Sequence, residues 1–419
     1  MPAVMSCVSE LPTAVVVISL NLNRPTPLLT PNGNILTLET ELRTHSMLHR
    51  VLRGGRALSS GVGDPASTLA LLETAELAAR AGAAVVRDAL EDRFGDAALT
   101  GADHRAGADL GVVFKGASDL VTATDKASEA AILRAIGARH PSHVCLAEES
   151  GVVAPLVGGG AAVGGGAAAA AAAVAGPDDT LWCIDPLDGT TNFVHGYSPF
   201  AVSVAAMRRV PPPPPPPPQG GGSSQPPQSG PPPQWQWQPQ AACVVEFVCG
   251  AGGSSLGWPT RVFTAAAGHG AFCQGRRIRC TRTDALGASL LATGFGYDHG
   301  AAWEANMGVF RSATDASRGV RRAGAAAVDL CHVGLGVLDG FWELELKPWD
   351  QAAGMLIVTE AGGEVRTMEG EPCTPFSRTV LACNSSAALR GELLALTAPA
   401  IGALKGGGYD LADTPAPPQ

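Results

Sequence analysis

Asp185 and Asp188 stand three residues apart in WCIDPLDGTTNFVHG (182–196), directly after an apolar run and directly before a glycine and two threonines. The proline of DPLDG stiffens the turn, so both carboxylates and the Leu187 carbonyl can converge on one spot. Such hard oxygen donors suit divalent ions, which points to Mg²⁺. Two more acids occupy the same kind of place: Glu148 follows the short apolar run VCLA, and Asp350 opens a helical segment. Carboxylates gathered at element ends repel one another and lose hydration unless cations neutralise them. Behind the aspartates, the backbone N–H groups of Gly189, Thr190 and Thr191 at a helix start would favour a phosphate. Adjacent metal and phosphate sites are what phosphate-ester hydrolysis requires.

Each residue also has a plainer reading. Asp-Pro and Asp-Gly are ordinary turn chemistry. Asp125 and Asp350 can serve as helix caps, and Glu148 as a surface acid. His195, His269, His299 and His332 are single and unspaced, which fits core or surface roles. It is the conjunction of the acids that argues for a site.

These residues need elements to hold them. LLETAELAARAGAAVVRDALED carries Leu77, Ala81, Val85 and Ala78, Gly82, Val86, Leu90 on two adjacent rows, which predicts an amphipathic helix starting near Ser67. In KGASDLVTATDKASEAAILRAIGARHPSH an extended Leu120–Ala123 precedes a helix from about Asp125, closed at His140–Pro141. VCLA and LWCI predict short buried strands, the second ending at Asp185, and residues 200–207 and 241–248 predict neighbouring antiparallel strands. RVFTAAAGHGAFCQGRRIR reads as strand, turn, strand, and LLATGFGYD as a buried strand. A helix-like AAAVDLCHVGLGVLDG leads to the strand FWELEL. KPWDQAAGMLIVTEAGG predicts a helix over 350–361 with Ala353, Leu356, Ile357 and Glu360 to one side, stopped by two glycines. Alternating strands and helices over this length indicate a layered α/β protein.

Composition bounds the rest. With 52 Gly and 33 Pro in 419 residues, part of the chain stays outside any core. Acids outnumber bases 38 to 29 and no long basic block occurs, which argues against nucleic acid as a partner. The ten cysteines form no CxxC pair, so neither a zinc site nor a disulfide framework is expected, and a reducing compartment fits. The uncharged run 151–177 is mostly Gly and Ala, hence a flexible insert and not a membrane span. Residues 211–240, beginning with eight prolines, read as a second insert, and its polyproline helix could bind an SH3-like or profilin-like partner. Residues 1–66 include the acid-free, Arg- and Ser-bearing stretch MLHRVLRGGRALSSG, which suits either an organelle transit peptide or a disordered N-terminus.

DLVTATD, LAEES, WCIDPLDGTTNFVHGYSPFAVSVA and LKPWDQAAGMLIVTEAGG, in that order, resemble the motifs of the inositol monophosphatase family over about 67–400 apart from the inserts. KGASDLVTATDKASEAAI, VVEFV, ATGFGYDH and RGVRRAGAAAVDLCHV are similar to its chloroplast-type members in plants and green algae. The resemblance implies an αβαβα sandwich, a homodimer, and Mg²⁺-dependent hydrolysis of small phosphate monoesters with two or three ions. It implies metal ligands at Glu148, Asp185, the Leu187 carbonyl, Asp188 and Asp350, and a water-orienting pair at Asp125 and Thr190 assisted by Glu148. Substrate contacts would come from Asp188, Gly189, Thr190, Gly324, Ala325, Ala326, Glu343 and Asp350, with Lys115 near a mobile metal loop. Ala325 stands where animal members commonly have threonine, which removes a hydroxyl from the pocket.

A part comprising 67–289 is therefore expected to carry the metals, followed by a C-terminal α/β part over 290–400 and a tail over 401–419. The alcohol of the ester stays open: inositol, L-galactose, histidinol, a bisphosphorylated sugar or a phosphoadenosine nucleotide. A reading of another class is a catalytically idle interaction protein that uses its Pro-rich insert.

Overall fold

The computed structural model describes residues 65–94, 113–114, 120–156, 179–210, 236–248 and 260–412, together with a small antiparallel pairing of Leu28–Leu29 with Ile35–Leu36. Residues 1–50 form one unit and 51–419 another. Lys115, the Pro-rich run 211–235 and most of residues 1–66 lie outside the described residues.

Among the described residues of the larger unit, an eight-stranded and a five-stranded sheet are interleaved with three helical layers, and Val113–Phe114 pairs separately with Leu120–Val121. The larger sheet is built from β1 (Val144–Ala147), β2 (Gly151–Val153), β3 (Thr180–Asp188), β4 (Phe200–Val210), β5 (Gln236–Phe247), β6 (Thr260–Ala266), β7 (Gly270–Cys273) and β8 (Arg276–Arg277). Its spatial order is β8-β7-β6-β5-β4-β3-β1-β2, antiparallel except for the parallel pair β1 and β3. The smaller sheet takes β9 (Leu290–Thr293), β10 (Gly319–Arg321), β11 (Gly340–Leu344), β12 (Glu364–Arg366) and β13 (Thr379–Cys383) in the order β10-β9-β11-β13-β12.

Helices α1 (Pro65–Phe94) and α2 (Ala123–Arg139) pack together, with α1 across β4, β5 and β6 and α2 against β3. The short α3 (Thr190–His195) follows β3. Helices α4 (Ala301–Ala316) and α7 (Ala387–Gly406) cover the outer face of the small sheet. Between the sheets lie α5 (Ala326–Leu335) and α6 (Pro348–Glu360). The architecture is thus the αβαβα sandwich expected from the motifs.

The central layer dictates its own composition. A helix with a sheet on either side has no solvent face, so it must be apolar all round. On α6, residues 351–358 are all buried; Ala353, Leu356 and Ile357 face the large sheet, while Val358 packs toward the small one. The single apolar side expected for this helix is corrected accordingly. Glu360 belongs to no core: it accepts the Gly268 and Gly270 N–H groups at 2.8 and 2.6 Å.

Other expectations also need correction. On α1 the row Ala78, Gly82, Val86, Leu90 is buried, but Leu77, Ala81 and Val85 are only half-buried; Leu71, Leu72, Ala75, Ala79 and Ala83 take the core instead. β3 does not end at Asp185 but continues to Asp188 through a register shift. The inserts are narrower than 151–177 and 211–240. Gly151–Val153 pair with β1, and Leu156 is buried and donates its N–H to Leu133 on α2. Gln236–Gln240 extend β5, where Trp237 is buried under Arg209. Among the described residues, α7 alone is long and apolar enough to cross a membrane; Leu389, Leu393, Ile401 and Leu404 on it pack into the core.

Ile357 is fully buried where α6 meets the large sheet. Ile357→Ala is expected to cost about 3 kcal/mol of unfolding free energy, read from urea denaturation, because rigid sheets on both sides limit collapse of the cavity.

Candidate active site

The ends of β1 and β3, the starts of α3, α5 and α6, and the end of β11 surround a cavity of about 570 Å³. It is lined by Glu148, Asp185, Leu187, Asp188, Gly189 and Thr190 from one side and by Gly324, Ala325, Ala326, Glu343 and Asp350 from the other. Eleven of the twelve candidate residues thus face one space, and Asp125 sits directly behind it, in contact with Thr190.

The acids arrive there by strand geometry. Glu148 extends the parallel ladder beyond β1, its N–H reaching the Ile184 carbonyl at 3.1 Å. Asp185 is paired with Ser203, and Asp188 with Ala201, so one extra residue is accommodated between them. That bulge brings both side chains of a single strand to the same cavity, although regular alternation would send residues three apart to opposite faces. Asp185 accepts the Leu187 N–H at 3.0 Å, which closes the turn. Asp188 accepts the Ala327 N–H at 2.9 Å, at the start of α5. Asp350 is not the N-cap of α6: the helix begins two residues earlier, at Pro348, and the Asp350 carboxylate reaches back to the Lys347 N–H at 2.7 Å.

Burial and crowding act in one direction on these groups. Burial first, and then the charges of Glu148, Asp188 and Asp350, push the Asp185 carboxyl well above the usual range. Asp188 is raised in the same way, by burial and then by Asp350. Glu343 is raised by burial, then by Asp350, Asp329 and Asp188. Asp329, which also lines the cavity, is raised by burial and partly relieved by Arg322. This donor chemistry, all carboxylate and carbonyl oxygen, fits hard divalent cations. Among the described residues no three His, Cys, Asp or Glu side chains close round one point as they stand, so the carboxylates form a lined wall and not a finished coordination shell.

Thr190 connects two motifs. Its Oγ1 lies 3.1 Å from Asp125 Oδ1 and 3.0 Å from the Leu187 carbonyl, and its one proton can serve either acceptor. Asp125 is likewise not the N-cap of α2, which is Thr122; it stands at the third helical position and closes a capping box. Its Oδ2 accepts the Thr122 N–H at 2.8 Å and the Thr122 hydroxyl, while the Thr122 Oγ1 accepts the Asp125 N–H at 3.3 Å. Burial raises this carboxyl, and the bonds from Thr122 and Thr190 oppose the rise. One oxygen is spent on the helix and the other faces the site.

Sequence reasoning missed the groups that hold the motifs together. Asp125, Ser128 and Glu129 share one face of α2. Ser128 donates to the Pro186 carbonyl at 2.8 Å, and Glu129 accepts the Glu149 N–H at 2.9 Å and the Ser150 hydroxyl. A single helix face therefore fixes the DPLDG turn, the turn after Glu148 and Thr190. The spacing of Asp125 and Glu129 was a usable signal. Asn192 is a second tie, donating to Pro199 and Ala323 carbonyls at 2.7 and 2.8 Å. Gly189 (φ 85°) is required by close approach as well as by its left-handed backbone, since a Cβ there would lie 3.2 Å from the Ala325 Cβ.

The pattern that defines the inositol monophosphatase family matches residues 70–212 and 237–402. The chain belongs to this family, and with it to the phosphoric monoester hydrolases that act on small phosphate esters. It is 42% identical to the phosphatase IMPL1, chloroplastic, of Arabidopsis thaliana over 90% of this chain and 84% of that protein. With the inositol-1-monophosphatase of Synechocystis it shares 33% identity over 64% of this chain and 74% of the relative. A solved structure, the inositol monophosphatase from Anabaena (Nostoc), superposes with a TM-score of 0.54 at 30% identity, covering 80% of this chain and 97% of that one.

A Cβ at Gly294 would fall 2.2 Å from Glu343 Oε2. Gly294→Ala must therefore turn the carboxylate aside. The expected result is a folded protein whose KM for a polyol phosphate rises about tenfold, as for one lost oriented hydrogen bond, measured by steady-state kinetics beside a thermal melt.

Proposed function

We propose that the protein is a Mg²⁺-dependent phosphatase that hydrolyses myo-inositol monophosphate or a related small sugar phosphate. The observation that carries this reading is the convergence of Glu148, Asp185, Asp188 and Asp350 on one cavity, beside the Thr190–Asp125 pair. Carboxylates so placed, with the Leu187 carbonyl, would hold two or three Mg²⁺ ions, which supply charge neutralisation and an acidified water.

The remaining work falls to the chain itself. The Gly189 and Thr190 N–H groups, on the cavity wall where α3 begins, would donate to phosphate oxygens. Thr190 Oγ1, donating toward Asp125, leaves its lone pairs to orient an incoming water, and Asp125 or Glu148 can take up the proton released. Asp125 suits that task because burial raises its carboxyl above the ordinary range, which makes its carboxylate a stronger base. Glu343 lies across the cavity and offers an acceptor to the hydroxyls of the alcohol. Ala325 presents only a methyl group where a hydroxyl would add a polar contact, which favours discrimination by Glu343 over discrimination from the α5 side. No protein nucleophile is required.

The Arabidopsis relative, chloroplastic by name, supports a chloroplast location, with residues 1–66 as the transit peptide. A homodimer rests on the family resemblance. A fluorescent reporter carrying residues 1–66 should enter plastids; retention in the cytosol would contradict the assignment. The function is tested by phosphate release from inositol, galactose, histidinol and bisphosphate esters with and without Mg²⁺. Turnover should need the metal, and Asp185→Asn should lower it by about 10³-fold or more. Folded wild-type protein that releases no phosphate from any ester would refute the reading.

A further inference from the structure

Among the described residues only Gln274 and Glu345 combine a side chain with a positive φ, 50° and 65°. Gln274 sits in the turn between β7 and β8. Glu345 is different, because it lines the cavity two residues beyond Glu343. A left-handed backbone suits glycine, so a glutamate held there calls for a reason in its side chain.

That side chain is anchored at one oxygen. Glu345 Oε1 accepts from Arg378 Nη2 at 2.5 Å and from the Tyr409 hydroxyl. The Arg378 guanidinium also lies 5.5 Å from the centre of the Tyr409 ring and donates to the Asp410 carbonyl at 2.8 Å. The Glu345 N–H meets the Arg378 carbonyl at 2.6 Å. Burial and the Glu345 carboxylate push the Tyr409 phenol up to about 12, so it remains a donor. The chain after α7 is thereby tied to the cavity rim. Glu345 Oε2 has no hydrogen-bond partner among the described residues and faces Gly296, where a Cβ would still stand 3.9 Å away. Glu343 packs far more tightly on Gly294, where a Cβ would fall 2.2 Å from its Oε2, and both acids line the cavity.

We propose that Glu345 is a specificity-determining residue, whose Oε2 accepts a second hydroxyl on the alcohol part of a cyclic polyol monophosphate, beyond the one that Glu343 takes. This rests on the phosphatase reading above. A hydroxyl is favoured over an amine because Arg378 already balances the Glu345 charge, whereas a neutral donor needs only the open lone pairs. The anchored oxygen removes rotamer freedom in advance, so little is lost when the hydroxyl binds.

The test compares myo-inositol 1-phosphate with p-nitrophenyl phosphate, which has no ring hydroxyl, in the full chain with Mg²⁺. Glu345→Gly suits the backbone and deletes the acceptor; Glu345→Gln is measured alongside in case one variant folds poorly. Glu345→Gly should lower kcat/KM on the inositol ester about tenfold, mostly through KM, and leave p-nitrophenyl phosphate within about twofold. Tyr409→Phe, which loosens the anchor, should give a smaller loss on the inositol ester alone. Equal losses on both esters, or no loss on either, would overturn the inference. A wild type that hydrolyses neither ester would instead remove the phosphatase reading, and this inference with it.

Discussion

Repulsion among buried carboxylates is the constraint around which this molecule is arranged. Glu148, Asp185, Asp188 and Asp350 enter one cavity, and burial followed by mutual charge raises Asp185 and Asp188 well above the usual carboxylate range. A folded chain has no reason of stability to gather them, since each would be better hydrated apart. Divalent cations reverse the sign of the interaction. The proposed function follows from that reversal.

Holding repelling groups in register needs a rigid frame, and the five-layer sandwich supplies one. Asp185 and Asp188 lie on the last four residues of β3, Glu148 directly follows β1, and Asp350 lies in the first turn of the helix between both sheets. The packing of α6 on either side therefore fixes Asp350 against Asp188. A second frame is polar. Asp125, Ser128 and Glu129 on α2 tie down Thr190, the Pro186 carbonyl and the turn after Glu148. Removing a member would leave a buried partner unsatisfied, which costs more than the bond itself contributes.

Local signals carried much of this arrangement. The apolar run VCLA placed Glu148 at a strand end and LWCI placed Asp185 on a buried strand, while the His140–Pro141 step located the end of α2. The layers, too, could be read from alternating strand and helix patterns. Contacts between distant segments could not. Nothing in TLWCIDPLD signals that its strand runs on through a bulge to Asp188, because the register is set by β4. Low-complexity neighbours concealed GVV and Trp237, whose pairing with β1 and β4 overrides composition. The approach of Gly294 to Glu343, and the tie from Tyr409 to Glu345, join residues 49 and 64 apart in the chain; neither leaves a local trace.

The most direct measurement is calorimetric titration of Mg²⁺ into the metal-free protein, in buffers of different ionisation enthalpy, for wild type and Asp185→Asn. Carboxyls raised by burial and crowding must lose protons when they bind a cation, so the account predicts saturable binding of at least two ions with proton release. Both should fall away in the variant. Folded wild-type protein that takes up no Mg²⁺, or binds it identically with Asn at 185, would contradict the account.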